Sequence, residues 1–315
     1  MPTAIFLSPL QNHRPEIQAH NQTLRRALGP QARVFDGLDT QEALDKAAAE
    51  VVADPTLDTI AISGADAGFG AGMTSLLGAG LKPGRRLAPL GGPGLNLLAN
   101  ELGLAERGED LAAELTGAKR GFLKRPVASK TVQWRTLRLT DSSKPRPLYG
   151  FTFGAGAIYT ALEGASKRGA QPRRGLRAAL RTVTQGLFDG QSWQPVAHRL
   201  TVDGQPYPDT MRMLAASVLP ALPLGLRPFA GVVKAEHKEL HVMWHNMSAA
   251  ATAALAIPLS RGRIRNPEHR LLDAKRLCLD FEGGYVLDGE LHPWTAARVL
   301  AIRTGPTVNL SLGRP

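Results

Sequence analysis

An α/β domain followed by a β-rich domain is the architecture this sequence predicts, on three observations. Its first ~125 residues alternate short apolar runs with helical patterns. From Lys124-Arg125-Pro126 onward, period-2 and buried-strand candidates follow one another, separated by turn signals such as Asp203-Gly204 and Asp288-Gly289. The chain has 315 residues, enough for two ordinary domains.

In the first part, Ala4-Ile-Phe-Leu reads as a strand and residues 16–28 as a helix. Asp39 with Glu42 three residues later forms a capping-box signature. Leu44, Ala48, Val51 and Val52 then make one helical face. A strand at 58–63 leads into "ISGADAGFGAGM", and a turn-rich segment, "LAPLGGPGLNLLANELGL", follows at 87–104. Strand, helix, strand, loop, helix indicates a parallel sheet. In the second part, "KTVQWRTLRLT", "PLYGFTFGAGAIY", "PVAHRLTVDGQPY", "TMRMLAASV", "ELHVMWH", "KRLCLDF", "GYVLDGEL" and "RVLAIRT" are the strand candidates. One helix interrupts them at 172–188, with Leu176, Leu180, Val183 and Leu187 on a stripe and Arg174, Arg177 and Arg181 on an adjoining flank. It reads either as a surface helix docked on the β-domain or as an interfacial helix on anionic lipid.

Composition limits the classes of partner. Lys and Arg number 38 against 27 Asp and Glu, a net +11, which favours anionic partners: nucleic acid, nucleotides or an acidic membrane face. Aromatics are only 5%, thin for a binder that stacks bases, and no nucleic-acid motif surrounds the basic runs. A single cysteine, Cys278, forms no internal disulfide, so a reducing cytoplasm is expected. The N-terminus lacks the pattern of a signal peptide, and the longest apolar run, 248–259, is short of the ~20 residues a bilayer span needs. Membrane contact is therefore expected to be peripheral.

Two glycine-rich stretches carry the chemistry. Gly64, Gly68, Gly70 and Gly72, and then Gly91, Gly92 and Gly94, offer backbone that approaches phosphates without a Cβ in the way. Each stretch, taken alone, also reads as an ordinary strand-to-helix turn. Asp288 and Glu290, two apart, project to one side if extended, whereas Asp-Gly is also the commonest two-residue hairpin turn. His237, His241 and His245 are four apart, but on a strand neighbours span ~13 Å, too far for one ion. Cys278 lies in a buried-strand pattern, and Ser63 lacks a hydrolase elbow.

Together these segments resemble the diacylglycerol kinase and sphingosine kinase superfamily of lipid kinases, over most of the chain. The family's Gly-Gly-Asp-Gly-Thr loop is similar to Gly64-Ala65-Asp66-Ala67-Gly68, and its Pro-Leu-Gly-Thr-Gly-Asn loop to Pro89 through Asn96 with two extra residues. "YGFTFGAGA" (149–157) is similar to a strand ending Gly-Phe-Asp-Ala, and Asp-Gly-Glu stands intact as Asp288-Gly289-Glu290. The resemblance implies a Rossmann-like α/β nucleotide-binding domain over 1–127, with 303–315 packing back on it. A β-sandwich lipid-substrate domain would follow over 128–302, with the site in the interdomain cleft.

The resemblance further implies ATP with Mg²⁺ or another divalent ion. Gly64, Asp66, Gly68, Gly91, Gly92, Gly94 and Asn96 would bind the nucleotide. Asp288 would serve as base with Glu290 beside it, and Arg174, Arg177 and Arg181 would lie against anionic lipid. The sequence departs from the family at the loop threonine, here Gly68, and at the acidic residue three positions on, here Ala71. Ala65 and Ala67 replace loop glycines, compatible with the loop where φ is negative. An amine-pairing Asp is matched by Gly156, so a neutral acceptor such as diacylglycerol or ceramide fits better than sphingosine. The expected function is an ATP-dependent kinase of a neutral membrane lipid, cytoplasmic and peripheral on the inner membrane face. A catalytically inactive lipid-binding relative of the same fold is the alternative, and NAD kinases, with a similar loop, are a third option.

Overall fold

The computed structural model describes residues 2–11, 14–94, 96–104, 108–118, 130–167, 197–207, 211–219, 229, 240–248, 269–293 and 297–312. The chain divides into two compact units, one of Met1–Trp134 with Thr307–Pro315 and one of Arg135–Pro306. The predicted helix at 172–188 and its Arg174, Arg177 and Arg181 lie outside the described residues, as does His237.

Unit 1 is built on four parallel strands: β1 (Thr3–Phe6), β2 (Ala32–Phe35), β3 (Thr59–Ser63) and β4 (Arg86–Gly91), in the order β2-β1-β3-β4. Every residue of β1 and β3 is buried, as strands covered on both faces require, and this is why they read as continuous apolar runs. Helix α1 (Pro15–Ala27) starts on Pro15, carries Glu16 in its first turn and ends on Arg25 and Arg26, a charge order that suits the helix dipole. It buries Ile17, Asn21 and Leu24, spaced on one face.

Helix α2 (Gln41–Ala53) begins one residue later than the Asp39 capping box predicts. Thr40 is the N-cap, its Oγ1 accepting from the Ala43 N–H at 3.2 Å. Helices α3 (Asp66–Gly78), α4 (Leu97–Glu101) and α5 (Gly108–Leu115) complete the covering layers. The end of the last strand joins this sheet parallel to β4, pairing Asn309 with Arg86 and Leu310 with Leu87.

Unit 2 is dominated by antiparallel strands. Strands β5 (Lys130–Asp141) and β6 (Leu148–Gly150) pair through Leu137–Leu139. After β7 (Thr152–Gly156) the chain turns into helix α6 (Ala157–Lys167), where the sequence reading has a continuous strand through Tyr159. Four small residues at 154–157 leave the strand face bare of bulk, and α6 fills it. Strands β8 (Ala197–Val202), β9 (Gln205–Tyr207), β10 (Met213–Ser217), β11 (Leu240–His245), β12 (His269–Ala274), β13 (Arg276–Phe281), β14 (Tyr285–Leu287) and β15 (Glu290–His292) follow. The last is β16 (Arg298–Leu312), whose first half pairs antiparallel with β13.

Six of these strands form one antiparallel sheet, β12-β11-β10-β7-β14-β15. Its β7, β10 and β11 are buried along their whole length. A buried polar post ties this sheet to β5 and β16: Asp141 accepts from the Tyr285 O–H at 3.1 Å and from Arg298 Nη1 at 3.2 Å, and the Arg298 guanidinium lies over the Tyr285 ring. Burial pushes the Asp141 pKa up, but the hydrogen bonds from Ser143 and the Arg298 charge outweigh it, so the carboxyl stays below its usual range.

Candidate functional site

In unit 1 the chain leaves β1 toward β2 on one side and returns to β3 on the other. The carboxyl ends of β1 and β3 therefore form the sheet's topological switch point, where open α/β sheets bind ligands. Three loops converge on this end. The first, after β1, is tied down by Ser8, Asn21 and Ser63, all buried. The Ser8 N–H donates to Ser63 Oγ at 2.9 Å, and Ser8 Oγ donates to Asn21 Oδ1 at 2.8 Å.

The second and third loops are the predicted glycine stretches, and they pack backbone against backbone. The Gly64 N–H donates to Gly91 O at 2.8 Å, and a Cβ on Gly92 would lie 2.7 Å from Gly64 Cα, so no side chain fits there. Gly64, Gly91 and Gly94 all have positive φ, at 112°, 66° and 135°. Ala65, at φ −66°, has the negative φ its alanine requires and stands as N-cap of α3 without a side-chain cap bond.

Two of the predicted nucleotide ligands serve the loops themselves. Asp66 is buried, and its carboxylate accepts from the N–H groups of Leu97 at 2.6 Å and Leu98 at 3.1 Å, the start of α4. Asn96 closes its own loop, donating from Nδ2 to Gly92 O at 2.8 Å and accepting the Gly92 N–H on Oδ1 at 3.1 Å. Gly70 and Gly72, which the sequence reading places in the phosphate path, lie inside α3 and offer no loop backbone. Gly68 stands in the first turn of α3, facing Gln11.

In unit 2, Asp288 and Gly289 are the two central residues of the β14–β15 hairpin, at φ 49° and 83°, with Leu287 and Glu290 paired across it. The stretch is a tight turn with both φ values positive, so Asp288 and Glu290 do not project side by side as they would from an extended strand. The turn carries Asp288 inward. It is 5% exposed and lies against the start of β7. Its Oδ1 accepts from the Phe151 N–H at 2.9 Å, the Thr152 N–H at 2.7 Å and the Thr152 hydroxyl at 3.0 Å, while Oδ2 has only a share of the Phe151 N–H at 3.0 Å. Burial pushes the Asp288 pKa up to about 7, against the pull of those donors.

The sequence reading misses the companions of Glu290. Lys144, from the β5–β6 turn, lies 3.0 Å from His292 Nδ1, and the His292 ring stacks on Tyr285 at 4.6 Å. Burial drives His292 down to about 3, so it is neutral and Nδ1 accepts the lysine proton. Burial also raises Glu290 and lowers Lys144, each partly countered by the other. A lysine beside a proline-rich turn gives no signal in sequence. Polar Ser8, Asn21 and Gln11 around a strand end and a following helix were the readable hint in unit 1.

Among the described residues no group of three or more His, Cys, Asp or Glu is arranged to hold a metal ion. His241 instead pairs with Asp273, Nδ1 to Oδ1 at 2.6 Å, on adjacent strands. No described helix is long and apolar enough to cross a membrane.

This arrangement of an α/β unit followed by an antiparallel β-unit is similar in fold to solved structures described as bacterial diacylglycerol kinases. A diacylglycerol kinase from Bacillus anthracis str. Sterne aligns at TM-score 0.66 with 14% identity, covering 99% of this chain and 97% of that one. Two further structures so described from the same organism align at TM-scores 0.65 and 0.64, again at 14% identity, covering 99% of this chain and 97% and 98% of theirs. No protein-family model matches the chain, and no curated protein matches it in sequence.

Proposed function

We propose that this protein is an ATP-dependent lipid kinase that phosphorylates the hydroxyl of a neutral membrane lipid, diacylglycerol or ceramide. The observation that carries the reading is the state of Asp288. One carboxylate oxygen is saturated by three donors and the other is left with a shared N–H, on a group whose pKa of about 7 matches that of an efficient general base. Oδ2 is the atom that takes the acceptor's proton. The fold likeness supports a kinase, and the N-terminus of α3, which follows the first glycine loop at the switch point, offers backbone N–H groups for the phosphates.

ATP is the phosphoryl donor of this reading, with its phosphates at the carboxyl ends of β1 and β3. Magnesium needs no protein cage, because it keeps waters and is carried largely by substrate phosphates. When bound, it would neutralise charge on the transferring group. Gly156, where an amine-pairing carboxylate stands in the resemblance, supports a neutral acceptor. A net charge of +11 supports adsorption on an anionic membrane surface. The alternative, an inactive lipid-binding relative, is favoured by the missing side chains at Gly68 and Ala71.

The test is transfer of labelled γ-phosphate from ATP to diacylglycerol, ceramide, monoacylglycerol and sphingosine in anionic micelles, with Asp288→Asn in parallel. Label on one neutral lipid, abolished in the variant, establishes the reading. No label on any lipid with either Mg²⁺ or Ca²⁺ shifts the weight to the inactive relative.

A further inference from the structure

The turn after β1 is over-determined. Two residues other than glycine, Ser8 at φ 44° and Leu10 at φ 58°, hold left-handed conformations. The Gln11 N–H donates to Ser8 O at 3.1 Å and the Leu10 N–H to Leu38 O at 2.8 Å, while Ser8 is anchored to Ser63 and Asn21. This turn places the Gln11 carboxamide against Gly64 and Gly68. A Cβ built on Gly68 would lie 3.4 Å from Gln11 Oε1 and 3.6 Å from its Cδ, and one on Gly64 3.5 Å from the same oxygen. A methyl at residue 68 would be in ordinary contact with the amide, and any larger side chain would have to displace it. The amide thus fills the space into which a side chain of residue 68 would project. Among the described residues it makes no hydrogen bond of its own.

We propose that Gln11 supplies the phosphate-contacting side chain of the nucleotide loop, in place of a side chain at position 68. This rests on the nucleotide reading given above. A carboxamide offers two N–H donors and carries no charge, so it donates to a phosphate oxygen without adding repulsion. Held by a turn that is fixed before the ligand arrives, it loses little freedom on binding.

The swap of space between residues 11 and 68 makes the proposal testable by titration calorimetry with MgATP, and with adenosine as the phosphate-free control. Gln11→Ala should weaken ATP roughly tenfold and leave adenosine unchanged, as expected for one lost bond to a charged group. Gln11→Glu should weaken ATP further, because it sets a carboxylate against phosphate. Gly68→Thr alone should weaken ATP, since its side chain meets the amide. Gln11→Ala combined with Gly68→Thr should recover affinity, because a hydroxyl then occupies the vacated space. ATP affinity unchanged within about twofold in both Gln11 variants overturns the proposal while leaving the nucleotide reading intact. Failure of the wild-type protein to bind ATP overturns the nucleotide reading itself and this proposal with it. Circular dichroism melts of each variant separate lost binding from lost folding.

Discussion

Thr152 holds Asp288 by two bonds to the same oxygen: its N–H at 2.7 Å and its hydroxyl at 3.0 Å both donate to Oδ1. These donors stabilise the ionised form and oppose the rise that burial imposes. Removing the hydroxyl with Thr152→Val therefore raises the Asp288 pKa. The acidic limb of the kcat/KM profile for lipid phosphorylation should move up by roughly one pH unit, the worth of one hydrogen bond to a charged group. Thr152→Ser should restore the wild-type profile. A limb that stays put in Thr152→Val, with activity retained, would separate the threonine from the chemistry.

Gly150 leaves the room in which Asp288 sits. A Cβ there would lie 2.5 Å from Asp288 Oδ2 and 2.9 Å from Leu287 Cδ1. Gly150→Ala should lower stability by about 1–3 kcal/mol, the usual cost of overpacking. It should also cut lipid phosphorylation at least tenfold, read from Tm and turnover measured together.

Two buried groups shape stability against pH in opposite directions. Asp288 has its pKa raised from 3.8 to about 7 in the fold, so its contribution is complete below the unfolded value and is lost as pH rises through 7. His292 is lowered from 6.5 to about 3, so its contribution is complete above 6.5 and is lost as pH falls toward 3. Asp288→Asn should flatten the loss of stability between pH 4 and pH 7, a change on the order of 4 kcal/mol across about three pKa units. His292→Asn should flatten the loss on the acid side. Urea denaturation at pH 5, 6.5 and 8 checks both. Parallel curves for wild type and Asp288→Asn would rule out the buried ionisation.

Asp66 joins the two glycine loops through the N–H groups of Leu97 and Leu98. Asp66→Ala removes a cap worth about 0.5–2 kcal/mol. Faster hydrogen exchange should appear first at Leu97 and Leu98. Nucleotide affinity should fall through loosened loop geometry, and Asp66→Asn, which keeps one acceptor oxygen, should lie between the two.

Patterns with a period are what the sequence carried. The buried runs of β1 and β3, the apolar face of α2 and the turn signal of Asp288-Gly289 were all legible, because each depends on neighbours within a few residues. The turn signal of Asp203-Gly204 was legible for the same reason, since it joins two adjacent antiparallel strands. Where local signals compete, the structure departs from the expectation. The capping box pointed to Asp39, and Thr40 took the cap. The glycines of 154 and 156 read as strand through Tyr159, and a helix starts at Ala157 instead.

Only the tertiary structure decided what the polar residues do. Whether Asp288 is a surface turn or a buried carboxyl depends on Phe151 and Thr152, 137 and 136 residues away in the chain. Asp66 and Asn96 look like ligands in sequence, yet their side chains find backbone partners that the packing of two loops brings to them. Lys144 meets His292 across 148 residues, and Gln11 meets Gly68 only because a strained turn aims it there. Local spacing fixes which face of an element is apolar. The pairing of distant strands and loops fixes which polar atoms are already satisfied, and therefore which remain to do chemistry.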